Sequence, residues 1–368
     1  MPASRKHRAA CFSADVDLQA PLSGRWKSGF PTPYNASCPF LRPWEMCGHN
    51  DAVSAAEIGT RRFVPTQCTL GDIDSDAIHR RLAGRMILFV GDSIQVQLYV
   101  AFACLLYAGD PAQFNGSKFT WRSPEVLHKR CHGEQRCHYE HGCAFFASGL
   151  RLCVCAVNGL ESRLYRRCLH MHKPRAEDIL FYGSIGLHYT GDASSHIPGK
   201  PSSPSIETAV EAFAAKEVHL VLSSVGITEM RSSALNSNTS TNGFAQSKYQ
   251  RSKGTPLLLW RDVTAQHFDN RGGHYKHRGA GYDYNLRTAE ASPCTNHSLI
   301  EMRRYQLWNR YATPRLTSAG VMVMRTWDSS AVQTWDAHVA YGDCTHWCQP
   351  GVPNSWARMF AAILTSHS

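Results

Sequence analysis

The 368-residue sequence has no apolar stretch of the roughly 18 residues that a membrane-crossing helix needs, which excludes a transmembrane span within it. The apolar run from Leu98 to Ala108 is too short and reads as a core helix. The first residues lack the apolar core of a secretory signal. No internal repeat is present, which excludes a solenoid. Long runs of one charge are missing as well: Arg5-Lys6-His7-Arg8 is the only sharp basic cluster, and it lies at the terminus. The formal net charge is +10, beside 19 histidines, but the remaining Lys and Arg are scattered. That distribution describes a general attraction to acidic ligands or surfaces, or merely a soluble basic surface, and argues against a nucleic-acid groove.

Cysteine, by contrast, is abundant. The 14 cysteines are an even number spread along the chain, which fits disulfides formed in an oxidising compartment. Four Asn-x-Ser sequons, at Asn35, Asn115, Asn238 and Asn296, agree with that compartment. An oxidised protein without a signal core is a conflict; a membrane anchor upstream of this chain, or a truncated start, resolves it. Residues 1–70 are rich in Pro, Cys and aromatics and form an expected cysteine-rich lobe packed on a larger domain over 71–368. A Cys/His-rich insertion is expected at about 110–175. Within it, Cys131-His132, Cys137-His138, His141 and Cys143 carry zinc-type ligands, but no close Cys-x-x-Cys pair is present. Three extra disulfides among Cys131, Cys137, Cys143, Cys153, Cys155 and Cys168 are therefore expected, and no metal.

Hydrophobic patterning predicts strands at 86–90, 150–157, 178–184, 218–224, 256–261 and 321–325. Helices are predicted at 74–82, from Ile94 onward, and at 207–216, 299–311 and 356–364, with a Ser/Asn/Thr/Gly-rich loop over 231–254. Strands alternating with helices describe an α/β fold whose mostly parallel sheet is covered on both faces.

In such sheets, ligands gather beyond the carboxyl ends of the strands. Ser93 lies in the turn Gly91-Asp92-Ser93, between a predicted strand and a predicted helix, where a serine oxygen can be exposed as a nucleophile. Gly186, His188 and the segment after Arg261 fall at comparable strand ends. Far downstream, Asp343 and His346 are three residues apart, close enough for the carboxylate to orient the imidazole while its other nitrogen takes a proton from a serine. The same two residues also describe a satisfied polar pair under a disulfide-tied loop.

Taken together, Phe89-Val90-Gly91-Asp92-Ser93 and Asp343-Cys344-Thr345-His346-Trp347-Cys348-Gln349-Pro350-Gly351-Val352-Pro353-Asn354-Ser355-Trp356 resemble the PC-esterase domain of the trichome birefringence-like plant proteins. Tyr34 to Phe40, Arg62 to Cys68 and Trp260 to Phe268 are similar to further blocks of that family, and the resemblance covers most of residues 11–364. It implies an SGNH-hydrolase-like three-layer α/β fold, with Ser93 as nucleophile, His346 as base and Asp343 as orienting acid. It also implies an oxyanion hole built from the Ser93 N–H and the 184–186 segment, where Gly186 matches the family glycine but Ser184 stands in place of the usual Asn. His188, Arg261, His267 and Trp347 are the expected substrate-binding residues, although a hydrogen-bonded pocket role for His188 and a structural ion pair for Arg261 remain open. Trp260, Trp356 and Tyr189 are further stacking candidates, with Trp356 read as packing. The family pairing implies disulfides Cys11–Cys68, Cys38–Cys104, Cys47–Cys348 and Cys294–Cys344.

The activity implied is transfer of an acetyl group to hydroxyls of a cell-wall or secretory-pathway polysaccharide through an acetyl-serine. The alternatives are a carbohydrate O-acetyl esterase with the same residues, and a catalytically weak carbohydrate-binding protein. No bound cofactor is expected. Acetyl-CoA or another acetyl carrier would be a co-substrate, and a polysaccharide or oligosaccharide the acceptor. The expected form is a monomer in the Golgi lumen or secretory pathway.

Overall fold

In the computed structural model the described residues are 11–12, 23–34, 37–42, 45–47, 55–120, 141–157, 162–186, 206–224, 227–230, 248–250, 256–268, 294–296, 303–331, 334–340 and 343–367. The chain begins with β1 (Gly24–Lys27), α1 (Ala55–Gly59) and β2 (Arg62–Pro65). It continues through α2 (Ser75–Arg81), β3 (Met86–Gly91) and α3 (Ser93–Gly109). Next come β4 (Phe114–Thr120), β5 (His141–Phe146), β6 (Arg151–Ala156), α4 (Ser162–His172) and β7 (Ile179–Gly183). Then follow α5 (Ile206–Ser224), β8 (Thr228–Met230), β9 (Lys248–Gln250) and β10 (Leu257–Arg261). The C-terminal part holds α6 (Arg303–Ser318), β11 (Met322–Met324), α7 (Trp327–Ala331), β12 (His338–Ala340), β13 (Asp343–Trp347) and α8 (Val352–His367).

Seven strands form the central sheet, in the order β11-β10-β7-β3-β6-β5-β4. The first five are parallel, and β5 and β4 add an antiparallel edge. Successive residues of β7 show how both faces are covered. Phe181 stacks on Phe360 of α8, with ring centroids 4.5 Å apart, and Tyr182 stacks on Tyr165 of α4 at 5.8 Å. Phe89 and Phe102 complete the aromatic cluster with Phe360, so α3 and α8 share one face of the sheet. Every residue of β3 is buried, as a central parallel strand requires.

Three expectations differ from the structure. Val218–Ser224 is helical and continues α5 rather than forming a strand. No glycine or proline interrupts Lys216-Glu217-Val218, and the buried residues Val210, Ala214, Val218, Val221 and Leu222 keep helical spacing. α6 runs past Tyr311 and through Pro314, because Trp308, Ala312 and Leu316 carry one buried stripe along it. The region taken as an insertion supplies three strands of the sheet itself, β4, β5 and β6.

The N-terminal residues are stitched to the rest of the chain. The Arg61 guanidinium donates to both oxygens of Asp336 at 2.8 Å, and Trp26 Nε1 donates to the Ser329 carbonyl at 3.0 Å. The structure pairs Cys11 with Cys68, Cys38 with Cys104, Cys47 with Cys348 and Cys294 with Cys344, the four pairs that the family pairing implies. Two further bonds join Cys143 to Cys153 and Cys155 to Cys168, while Cys131 and Cys137 lie outside the described residues. Among the described residues, no helix is long and apolar enough to cross a membrane. Asn115 and Asn296 are exposed; Asn35 and Asn238 lie outside the described residues.

Candidate active site

The turn after β3 is built by three residues with separate tasks. Gly91 is needed for close approach: a Cβ there would sit 2.9 Å from the Gly183 carbonyl oxygen of the neighbouring strand. Asp92 caps α3, its Oδ1 accepting from the N–H groups of Ile94 at 3.1 Å and Gln95 at 3.3 Å. Ser93 is the first residue of the helix, so its N–H has no intrahelical acceptor and faces outward at the positive end of the helix dipole. Its side chain is part-exposed while both neighbours are buried.

The opposing residues come from the β12–β13 hairpin. His346 Nε2 lies 2.7 Å from Ser93 Oγ, and His346 Nδ1 lies 2.8 Å from Asp343 Oδ2. The Asp343 carboxylate also accepts from the backbone N–H groups of Thr345 and His346, each at 3.1 Å. Burial alone would raise the Asp343 pKa, but the charge of His346 and these hydrogen bonds outweigh it and hold the carboxyl at about 2. Burial would lower the His346 pKa; the charge and hydrogen bond of Asp343 win there too, and the net shift is upward. The pair thus favours Asp343 ionised, with Nδ1–H of His346 pointing at it and Nε2 facing the serine.

Side chains that sequence reasoning passed over hold these groups in place. Gln97, one turn after Ser93, donates from Nε2 to the Trp347 carbonyl at 2.7 Å and accepts from the Trp347 N–H at 3.2 Å. It ties the nucleophile's helix to the residue after His346. Gln95 Nε2 donates to the Phe181 carbonyl at 2.9 Å, and Gln95 Oε1 accepts from Arg261 Nε at 3.0 Å. Two glutamines inside the apolar run Ile94 to Phe102 were the available signal, since buried amides need partners. Behind the base, His338 Nδ1 donates to the His346 carbonyl at 2.9 Å, and His338 Nε2 lies 2.9 Å from His267 Nδ1. Cys344 and Cys348 flank His346, with disulfides to Cys294 and Cys47.

The segment 184–186 departs from expectation. The Ser184 hydroxyl donates to Glu217 Oε2 at 2.8 Å, and the Gly186 N–H donates to Ser184 Oγ at 3.2 Å. Both groups named as oxyanion donors are therefore engaged, the Ser184 hydroxyl by Glu217 of α5 and the Gly186 N–H by Ser184. Glu217, another residue missed in the sequence, also accepts from the Ile185 N–H and from Trp308 Nε1, each at 2.7 Å.

The expected substrate contacts also need correction. Arg261, His267 and Trp347 are fully buried. The Arg261 guanidinium is used internally, reaching Gln95, the Asp262 and Ser184 carbonyls, and Asp92 at 3.4 Å. His267 supports His338, and Trp347 packs between His338 and Trp356. Trp260 and Trp356 are buried as well, and His188 and Tyr189 lie outside the described residues.

Across most of the chain, two rice proteins are similar. One, named probable xylan O-acetyltransferase 11, is 24% identical over 87% of this chain and 79% of its own length. The other, xylan O-acetyltransferase 14, is 23% identical over 99% of this chain and 81% of its own. Protein trichome birefringence-like 12 of Arabidopsis thaliana is 33% identical, but the match spans 27% of this chain and about a quarter of that relative's length. The chain is similar to trichome birefringence-like proteins and xylan O-acetyltransferases, at low identity. No family model matches it. In this protein, β3, α3 and β13 bring together the Gly-Asp-Ser and Asp-x-x-His segments that carry the resemblance.

Proposed function

We propose that the protein is a polysaccharide O-acetyltransferase in which Ser93 carries the acetyl group, His346 moves protons and Asp343 orients His346. The observation that supports this most directly is the continuous relay from Ser93 Oγ through His346 to Asp343, with contacts of 2.7 and 2.8 Å at the carboxyl end of the central strand. The relatives named xylan O-acetyltransferases supply the reaction class and the kind of acceptor.

In the first half-reaction, Ser93 Oγ attacks the carbonyl carbon of an acetyl donor as its proton passes to His346 Nε2. The Ser93 N–H, at the start of α3, faces the developing oxyanion. Collapse expels the donor's leaving group, which takes the proton from His346. In the second half, a sugar hydroxyl attacks the acetyl-serine and gives its proton to His346; collapse returns that proton to Ser93 Oγ. Asp343 keeps the imidazole in one tautomer and balances the imidazolium in both halves. The six disulfides among the described residues support a secretory or Golgi route, because such bonds persist in oxidising compartments.

The test is incubation with acetyl-CoA or an acetylated glycan as donor and xylan oligosaccharides as acceptors, beside Ser93→Ala. Acetylated oligosaccharide and free acetate are followed by mass spectrometry. Serine-dependent transfer is expected. Acetate release without transfer would replace the transferase with an esterase, and absence of any serine-dependent turnover would remove the enzymatic reading.

A further inference from the structure

On the face of the sheet opposite Phe360, the antiparallel edge carries a dense set of soft donors. Cys143 of β5 pairs directly with Cys153 of β6, and Cys155, two residues on, points to the same face. α4 lies over that face and presents Cys168 and His172, one helical turn apart. The donor atoms of Cys143, Cys153 and His172 all lie within 4.8 Å of one another, and so do those of Cys155, Cys168 and His172. His172 belongs to both sets. Its Nδ1 is 3.8 Å from Cys143 Sγ, and its buried Nε2 has no hydrogen-bond partner among the described residues.

The two disulfides hold each sulfur pair at bonding distance, so a metal fits this cluster only once reduction has parted them. With metal–sulfur bonds of about 2.3 Å and a metal–nitrogen bond of about 2.0 Å, neighbouring donors of a tetrahedral zinc shell lie about 3.5–3.8 Å apart. Thiolates and imidazole are also the donor types that select zinc over hard cations. We propose that Cys143, Cys153, Cys155, Cys168 and His172 form a zinc-class metal site in the reduced chain, with His172 and three of the four thiolates as ligands, and that the two disulfides are the oxidised form of that site. Each disulfide accepts two electrons and two protons from a dithiol reductant, which leaves as its own disulfide. The cation then binds the sulfurs and releases the thiol protons to solvent. The site is independent of the Ser93 chemistry. Its consequence is mechanical: the metal, like the Cys155–Cys168 bond, fixes α4 to β6, the neighbour of the strand that leads to Ser93.

The test uses the full chain, reduced with a phosphine without oxygen and titrated with Co²⁺, then Zn²⁺. Expected are one tightly held Co²⁺ with thiolate-to-cobalt absorption and tetrahedral ligand-field bands, displacement by Zn²⁺, and an affinity reduced at least about tenfold by His172→Ala. A Cys11→Ser/Cys68→Ser variant serves as control and should bind like the wild type. Alkylation mapped by mass spectrometry gives a readout that needs no variant: Zn²⁺ should protect cysteines among 143, 153, 155 and 168 and leave Cys11 and Cys68 reactive. The proposal falls if Co²⁺ binds without thiolate bands, if His172→Ala binds as tightly as wild type, or if Zn²⁺ protects none of the four.

Discussion

Glu217 is a buried carboxyl with three donors aimed at it, which makes it a sensitive probe of the segment beside the nucleophile. Burial pushes its pKa up from 4.5, and the hydrogen bonds from Ile185, Ser184 and Trp308 pull it part of the way back, leaving it at about 7. The folded state therefore binds this proton more tightly than the unfolded chain does. Stability from this group is greatest below pH 4.5, declines as pH rises through 7 and then levels off. The gap between 4.5 and about 7 corresponds to about 3 kcal/mol. Glu217→Gln removes the titration, but its amide NH₂ cannot accept, which leaves one buried donor facing a donor at a cost of about 1–3 kcal/mol. The variant should thus be less stable than wild type at pH 5 and equal or more stable at pH 8. Urea unfolding followed by tryptophan fluorescence at the two pH values measures this swing, expected near 3 kcal/mol. A swing below about 1 kcal/mol, or one of opposite sign, would refute the placement of a strained carboxylate behind Ser184.

Three further outcomes follow from the site. The wild-type kcat/KM should rise with pH along a limb lying above 6.5, since His346 must be neutral to act and Asp343 raises its pKa; Asp343→Asn should shift that limb to lower pH and cut kcat by about 10³–10⁴-fold. Gln97→Ala leaves the Trp347 N–H and carbonyl unpaired in a buried place; calorimetry should show a loss of about 2–4 kcal/mol, and kinetics a lower kcat with little change in KM. Removing Cys47–Cys348 by Cys47→Ala/Cys348→Ala should cost about 2–5 kcal/mol in denaturant unfolding and lower kcat by freeing the segment after His346.

Much of the scaffold was legible because its signals are local. The continuous apolar run at 86–90 and the Gly-Asp-Ser turn specify a buried strand and a capped helix without reference to anything distant. The long Asp-x-x-His-Trp-Cys segment likewise named its partner serine through a resemblance. Misreadings arose where local composition was ambiguous. The run Val218–Ser224 has the residue types of a strand, and only its buried stripe on α5 makes it helix. Arg261 and His267 have side chains suited to binding a ligand, and burial turned them into supports.

The sequence by itself determined the elements, the chemistry-bearing residue types and the order in which they arrive, because propensity, capping and apolar period act over a few residues. The tertiary structure alone decided which of those residues meet. It set His346 at 2.7 Å from a serine 253 positions away. It directed the Ser184 hydroxyl to Glu217 rather than toward Ser93 chemistry, and it gathered four sulfurs around His172. These are contacts between distant segments, set by how the faces of helices and strands pack, and no short stretch of sequence contains that information.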